Sequence, residues 1–338
     1  MSELRVAVVG AGLMGADHIT RISQRIVGAT VTAVVEPDES RAQAALLETS
    51  GARTFSGIDD ALKWGGFDAV LIATPGPFHE PVIVPVLQHG FPVLCEKPLT
   101  PDPESSLRVV KEEVRQGRQL IQVGFMRRFD EGYQSLRSMI AQGEMGSLLG
   151  LHCVHRNPAV PDSYHNDMLI FDSVVHEIDA VRFLTDSPIR SIEVKHLKRN
   201  SLSPDGLDEP ILVLLRTEDG VLSTVEMNVS VQFGYQVRTE AVFEQGLAEI
   251  GRASGLTKHH AGAMATADHM SFKTRFADAY DAQIQRWVNA TKQGRIDGPS
   301  AWDGYLAAAA VEAGLEALKT GKEVMVSYAP RPDFYDVA

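Results

Sequence analysis

Side chains able to move a proton stand at two places in this sequence, in settings that could make them work. Lys97 follows Val93-Leu94-Cys95-Glu96 and precedes Pro98-Leu99. Proline restricts the residue before it to extended backbone. Lys97 would therefore be held where it could donate a hydrogen bond to a hydroxyl or ketone oxygen. Asp172 and His176 lie four positions apart in Phe171-Asp172-Ser173-Val174-Val175-His176-Glu177-Ile178-Asp179. On a helix that spacing puts both on one face. The carboxylate could orient the imidazole, which titrates near neutrality and can take and return a proton. The same letters also fit an exposed lysine beside a turn, and a capping aspartate followed by a surface histidine.

Removing a proton from a carbinol is useful only if something accepts the electron pair. The sequence offers a place for such an acceptor at Gly10-Ala11-Gly12-Leu13-Met14-Gly15, a G-x-G-x-x-G between a predicted strand and a predicted helix. In that context Gly10 permits the tight turn, Gly12 lets a pyrophosphate approach the backbone, and Gly15 lets helix and strand pack closely. Leu13 and Met14 complete a turn that would face the cofactor, and the helix N-terminus would face the phosphates. The bare pattern also fits a tight turn with no ligand. Glu36 ends the second predicted strand, 21 positions after Gly15. A carboxylate there can accept both adenosine ribose hydroxyls and would repel a 2′-phosphate, which favours NAD over NADP. Arg41 lies close enough in sequence to relax that preference. Thr74 and Glu96, at the ends of the fourth and fifth strands, could touch the same cofactor. His79 reads as a helix-start residue.

Candidate hydroxyl-binding groups can be named too. His155 and Asn157, at the end of a predicted strand, and Tyr235 could pair with hydroxyls. Arg127 could serve instead and would suit a carboxylate. Several histidines invite a metal reading, but His176-Glu177-Ile178-Asp179-Ala180 lacks the second histidine of a zinc-protease helix. His152 and His155 would point to opposite faces of a strand. No metal is expected.

The elements that must position these residues fall into two regions. Residues 1–123 carry strand signals at Leu4–Val9, Thr30–Val35, Ala69–Ala73, Pro92–Glu96 and Gln119–Val123, with a weaker one at Arg53–Phe55. Helical stretches near Gly15–Arg25, Glu39–Thr49, Glu80–His89 and Pro103–Gln116 lie between them. Short Val- and Ile-rich strands alternating with helices predict a doubly wound parallel sheet, a Rossmann-type α/β fold. From residue 124 to 338 the rhythm changes. A helix is predicted at Asp130–Ala141, then strands at Ser147–Arg156, Ile189–Leu197, Ile211–Thr217, Val221–Val231 and Gln236–Glu244. Turns at Thr217-Glu218-Asp219-Gly220 and Glu244-Gln245-Gly246 make the sheet largely antiparallel. Arg252–His269 reads as a loop. Helices near Phe272–Lys292 and Trp302–Thr320 and a short strand at Glu323–Tyr328 follow.

Composition limits the partners. The 32 basic and 44 acidic residues leave a formal charge of −12, against nucleic acid or an anionic membrane. Two cysteines form no disulfide framework. No apolar run reaches the ~18 residues a membrane span needs. Leu4–Val9 begins without a basic leader, so a cytoplasmic protein without a signal peptide is expected.

Four strings together resemble the glucose–fructose oxidoreductase/inositol dehydrogenase (Gfo/Idh/MocA) family: Gly10–Gly15, Glu96-Lys97-Pro98-Leu99, Gly124-Phe125-Met126-Arg127-Arg128-Phe129-Asp130 and Asp172–Asp179. Arg275-Phe276 with Ala279-Tyr280 resembles the family's late helix. His155-Arg156-Asn157-Pro158 looks most like its inositol dehydrogenase branch. The resemblance implies that Lys97, Asp172 and His176 act as a catalytic triad. It implies an NAD-dependent oxidation of a cyclic polyol, foremost myo-inositol to the 2-keto inosose, in carbohydrate catabolism. Oxidation of scyllo-inositol, another sugar or a uronate, or a non-catalytic NAD-binding sensor, would keep parts of the same pattern. It further implies an open C-terminal sheet used to form dimers or tetramers, and a last helix that packs back on the first domain.

Overall fold

A computed structural model describes residues 3–252 and 257–336. The chain divides into two compact units. One comprises Met1–Met126, Tyr280–Ala308 and Ala329–Ala338, the other Arg127–Ala279 and Ala309–Tyr328.

The first unit runs β1 (Leu4–Val9), α1 (Leu13–Gln24), β2 (Ala29–Val35), α2 (Glu39–Leu47), β3 (Arg53–Phe55), α3 (Ile58–Trp64), β4 (Ala69–Ile72), α4 (His79–Gln88), β5 (Val93–Glu96), α5 (Pro103–Gln116) and β6 (Ile121–Gly124). Its six strands are all parallel, in the order β3-β2-β1-β4-β5-β6. The strands are apolar because the sheet is buried on both faces: β4, β5 and β6 have no exposed residue. Val6, Val8 and Leu71 pack with Ile19 and Ile22 of α1 and with Trp287 and Val288 from the later part of the chain. Helix α3 escaped the sequence reading because seven residues are too few to show a period. Its ends carry the usual signals nonetheless. Asp59 and Asp60 occupy the first turn, Lys63 the last, and Gly65 stops it at φ 65°.

The second unit contains α6 (Glu131–Gln142), β7 (Leu148–Arg156), α7 (Asn166–Met168), α8 (Val175–Thr185), β8 (Ile189–His196), β9 (Ile211–Thr217), β10 (Leu222–Asn228), β11 (Gln236–Phe243), β12 (Leu247–Ile250), β13 (Thr257–His260), β14 (Ala263–Thr266) and α9 (Phe272–Arg275). Helices α10 (Ala277–Thr291) and α11 (Ala301–Thr320) each contribute residues to both units, and β15 (Val324–Met325) closes the second. Seven strands form one sheet in the order β12-β11-β7-β10-β9-β8-β15. Every pair is antiparallel except β7 with β10.

Three expectations are corrected here. Within Arg252–His269, read as a loop, β13 and β14 pair as a hairpin; residues 253–256 of that stretch lie outside the described residues. Every hairpin strand residue is exposed, so no apolar alternation marked it in the sequence. The single helix expected near Phe272–Lys292 is two, α9 and α10, parted at Phe276 (φ −113°, ψ 22°). Phe276 turns inward there, with the guanidinium carbons of Arg275 and Arg127 at 4.4 and 5.6 Å from its ring. Finally, Asp172 neither starts nor caps a helix. It lies in a π-helical stretch, Leu169–Val174, that leads directly into α8.

Candidate active site

In the first unit the chain makes a cradle from its backbone. Gly10 ends β1 at φ +89°, and a Cβ there would lie 2.9 Å from the Ala73 carbonyl oxygen. A Cβ on Gly15 would come within 1.9 Å of the Gly10 carbonyl oxygen, so only glycine lets α1 start this close to the strand. A Cβ on Gly12 would meet nothing within 4 Å. Gly12 is the N-cap of α1 and supplies no side-chain cap, so the open space faces a helix N-terminus. Leu13 is exposed and Met14 half-buried on the same turn.

Glu36, just past β2, is buried. Its Oε2 accepts from the Ala11 amide at 2.8 Å, and its Oε1 from the Asp38 amide at 3.0 Å and Arg41 Nη2 at 2.7 Å. Burial alone would push this carboxyl up; Arg41 and the two amides outweigh it and hold it below the usual range. Arg41, which could relax the expected cofactor preference, is thus paired with Glu36. Beyond β4, the Thr74 hydroxyl oxygen is buried with no hydrogen-bond partner among the described residues. These features fit a dinucleotide: an open backbone edge for phosphates, an ionised carboxylate at ribose distance in the chain, and an unsatisfied hydroxyl at a strand's carboxyl end.

Lys97 follows β5, which lies between β4 and β6. The segment after it is clamped by His79, the first residue of α4 as expected. The buried His79 ring sits with Nδ1 at 2.8 Å from the Pro98 carbonyl oxygen and Nε2 at 2.7 Å from that of Thr74. Glu96 was expected to touch the cofactor. Its carboxylate is engaged inside the unit by His18 at 2.7 Å and the Lys97 amide at 3.3 Å.

In the second unit the chemistry is carried by side chains. Asp172 and His176 are both half-buried, while Ser173, Val174, Val175 and Glu177 around them are buried. A spacing of four returns to nearly the same face in π or α geometry, so the change of helix type keeps them together. His155, inward on β7, has its ring centroid 6.4 Å from that of His176 and 6.0 Å from that of Tyr235. Three of the predicted substrate groups therefore share one cluster. Burial raises the Tyr235 phenol, which keeps it a donor. Asn157, one residue beyond β7, is held by its backbone to Asn228 and Val231, and its buried Oδ1 has no hydrogen-bond partner among the described residues.

Arg127, expected as a substrate group suited to a carboxylate, has a carboxylate partner within the protein. Arg127 is 2% exposed and pairs through Nη1 with Glu177, while its Nη2 lies 3.2 Å from His155 Nδ1. Glu177 Oε2 is 3.1 Å from the same His155 nitrogen. Burial pushes Glu177 up, but the Arg127 charge and His155 overcome it and hold the carboxyl at about 2. The next residues repeat the pattern: Arg128 grips Asp179 with Nε and Nη2 at 2.9 and 2.7 Å. Asp130 caps α6 and receives Arg275 at 2.8 Å. Sequence reasoning missed Glu177 and Asp179 as the partners of Arg127 and Arg128. The available signal was two adjacent arginines and two acids amid apolar residues, all of which needed partners if buried.

Among the described residues no three histidines, cysteines or acids converge as a metal ion would require. No helix among them is long and apolar enough to cross a membrane.

Comparison with known proteins gives the family. Residues 4–125 match the family of oxidoreductases with an NAD-binding Rossmann fold, Gfo/Idh/MocA. Residues 133–249 match the Gfo/Idh/MocA C-terminal domain. Inositol 2-dehydrogenase of Corynebacterium glutamicum (strain ATCC 13032) is 56% identical over 98% of this chain and 99% of that protein. The inositol 2-dehydrogenase of Leifsonia xyli subsp. xyli is 55% identical over 98% of each. The crystal structure of myo-inositol dehydrogenase from Lactobacillus casei with NAD(H) and myo-inositol superposes with a TM-score of 0.95 at 32% identity, over 98% of this chain and 99% of that one. The chain belongs to the Gfo/Idh/MocA family of oxidoreductases.

Proposed function

We propose that this protein is an NAD-dependent inositol 2-dehydrogenase that oxidises myo-inositol to the 2-keto inosose. The observation that carries the reading is the His155–His176–Tyr235 cluster, in a chain 56% identical along nearly its whole length to an inositol 2-dehydrogenase. Residues 1–123 supply the cofactor side and 124–338 the substrate side.

NAD, when bound, supplies the acceptor for the hydride leaving the carbinol carbon. Gly10, Gly12, Leu13, Met14 and Gly15 hold the dinucleotide, with Glu36 on the adenosine ribose and Thr74 further along. His176 takes the hydroxyl proton as general base, and Asp172 orients it and supports its charge. Lys97 donates a hydrogen bond to the reacting oxygen and stabilises the charge that develops there. His155, Asn157 and Tyr235 pair with the remaining hydroxyls. Arg127 and Glu177 hold His155 from behind. Carbinol, base and acceptor balance: one hydride and one proton leave, and a ketone remains. Glu36 repels a 2′-phosphate, so NAD is preferred over NADP.

The reading extends to a cytoplasmic homo-oligomer, a dimer or tetramer formed through the seven-stranded sheet. Its support is the β7 row Gly150, His152, Val154 and Arg156, none of it buried, alternating with buried Leu151, Cys153 and His155. Initial rates with myo-inositol, followed at the NADH absorbance band with NAD and NADP in parallel, test the reaction. Turnover with NAD and little with NADP is expected; NAD binding without turnover would refute it.

A further inference from the structure

A second buried histidine stands behind the lysine. His18, on α1, is fully buried, and its Nε2 lies 2.7 Å from Glu96 Oε1. A carboxylate only accepts, so the ring donates from Nε2. Its Nδ1 has no hydrogen-bond partner among the described residues, which leaves Glu96 as the ring's hydrogen-bonding contact. The other Glu96 oxygen reaches the Lys97 amide at 3.3 Å. One carboxylate thus links the helix that opens the dinucleotide cradle to the peptide from which Lys97 leaves β5. The room for it is provided by Gly124 on β6, where a Cβ would come within 3.0 Å of Glu96 Cα, Cδ and Oε2. On the far side of Lys97, His79 fixes the Pro98 carbonyl.

We infer that His18 is a positioning residue for the proposed reaction: through Glu96 it sets the backbone that aims Lys97. The inference rests on the reading of Lys97 as the group that hydrogen-bonds the reacting oxygen. It makes α1 serve two purposes, its N-terminus for the cofactor and its second turn for the lysine. Misplacement by about an ångström is enough to lose ~100-fold in rate, so a link two residues removed from the chemistry can matter.

Two substitutions test it. His18→Leu removes the donor and keeps a buried side chain; His18→Gln returns an amide donor at similar reach. Isotope-labelled lysine Cε methylene groups report Lys97 directly in the NAD-loaded protein, its resonance assigned by its absence in Lys97→Met. That resonance should move in His18→Leu and return in His18→Gln. With myo-inositol, His18→Leu should lower kcat about 10- to 100-fold, while the NAD Kd from fluorescence quenching stays within about twofold. Added to Lys97→Met, His18→Leu should cause no further loss, because residues acting through one group are not additive. Should His18→Leu fail to fold, Glu96→Gln cuts the same link, leaving one amide oxygen for two donors. An unmoved Lys97 resonance, or losses that multiply with Lys97→Met, would overturn the inference. Wild-type protein that binds NAD but oxidises no polyol would refute the reaction alone, and the Lys97 resonance would still decide the positioning.

Discussion

At Gly10–Gly15 the first unit is shaped by side chains that are missing, whereas around His155 the second unit is shaped by side chains that are charged. The glycine turn works because a Cβ would strike backbone at Gly10 and Gly15 and would fill open space at Gly12. The His155 cluster works because Arg127 and Glu177 bury opposite charges against it. A cofactor shared by many proteins can be met by backbone N–H groups, which every sequence owns. A particular polyol needs donors and acceptors at particular points, and only side chains supply those. Backbone recognition is cheap to encode and tolerant of neighbours. Side-chain recognition requires a supporting set whose removal is felt as instability.

The largest effects should separate chemistry from binding. Lys97→Met and His176→Ala should each lower kcat with myo-inositol by about 10²–10⁴-fold, as loss of a proton-handling or charge-stabilising group does. NAD affinity from fluorescence quenching should stay within about twofold of wild type. Rates near wild type for both would remove the proposed roles.

Next comes the buried ion pair. Glu177→Gln leaves Arg127 charged and uncompensated, which should destabilise the fold by ~3–5 kcal/mol in urea unfolding. The pH dependence has a definite sign. Glu177 sits at about 2 in the folded protein, below its ordinary 4.5. The stability it contributes is therefore complete above about 4.5 and fades as pH falls toward 2. Wild type should lose stability across that window more steeply than the variant; parallel curves would mean the pair is not ionised as described.

Two glycine variants then sharpen the contrast within the cradle. Gly15→Ala forces α1 and β1 apart and should lower stability by ~1–3 kcal/mol along with NAD affinity. Gly12→Ala has an ordinary φ of −70° and nothing to strike. Its thermal midpoint should match wild type while NAD affinity falls about tenfold. A Gly12→Ala protein that binds NAD normally would break the idea of a backbone cradle. The smallest effect is expected at Arg41, whose side chain is 52% exposed. Arg41→Ala should change the NAD Kd less than about threefold and weaken NADP more, since Glu36 loses its neutralising partner. Titration with both nucleotides measures the ratio.

The parallel sheet was readable because its strands are short apolar runs separated by helices, and burial on both faces demands that pattern. The hairpin β13–β14 was not, because none of its strand residues is buried and no period of two appears. Helix α3 was too short for its period to show. Among the site residues, Gly10, Gly12, Gly15 and Glu36 were legible from a motif whose spacing has a local cause. His155, His176 and Tyr235 were legible as single candidates, yet nothing along the chain said that strand, helix and loop would bring them within one cluster. The pairing of Arg127 was not legible, because its partner Glu177 is 50 residues away.

By itself the sequence determined what depends on neighbours in the chain: the glycine turn, the strand–helix alternation, the carboxylate after β2 and the spacing of Asp172 and His176. These follow from backbone sterics and helical period, which act over a few residues. Tertiary structure alone decided which charges face each other. It sent Arg127 to Glu177, Arg128 to Asp179 and His18 to Glu96. A buried charge or donor takes whichever partner packing brings within about 3 Å, and packing unites residues that sequence separation cannot relate.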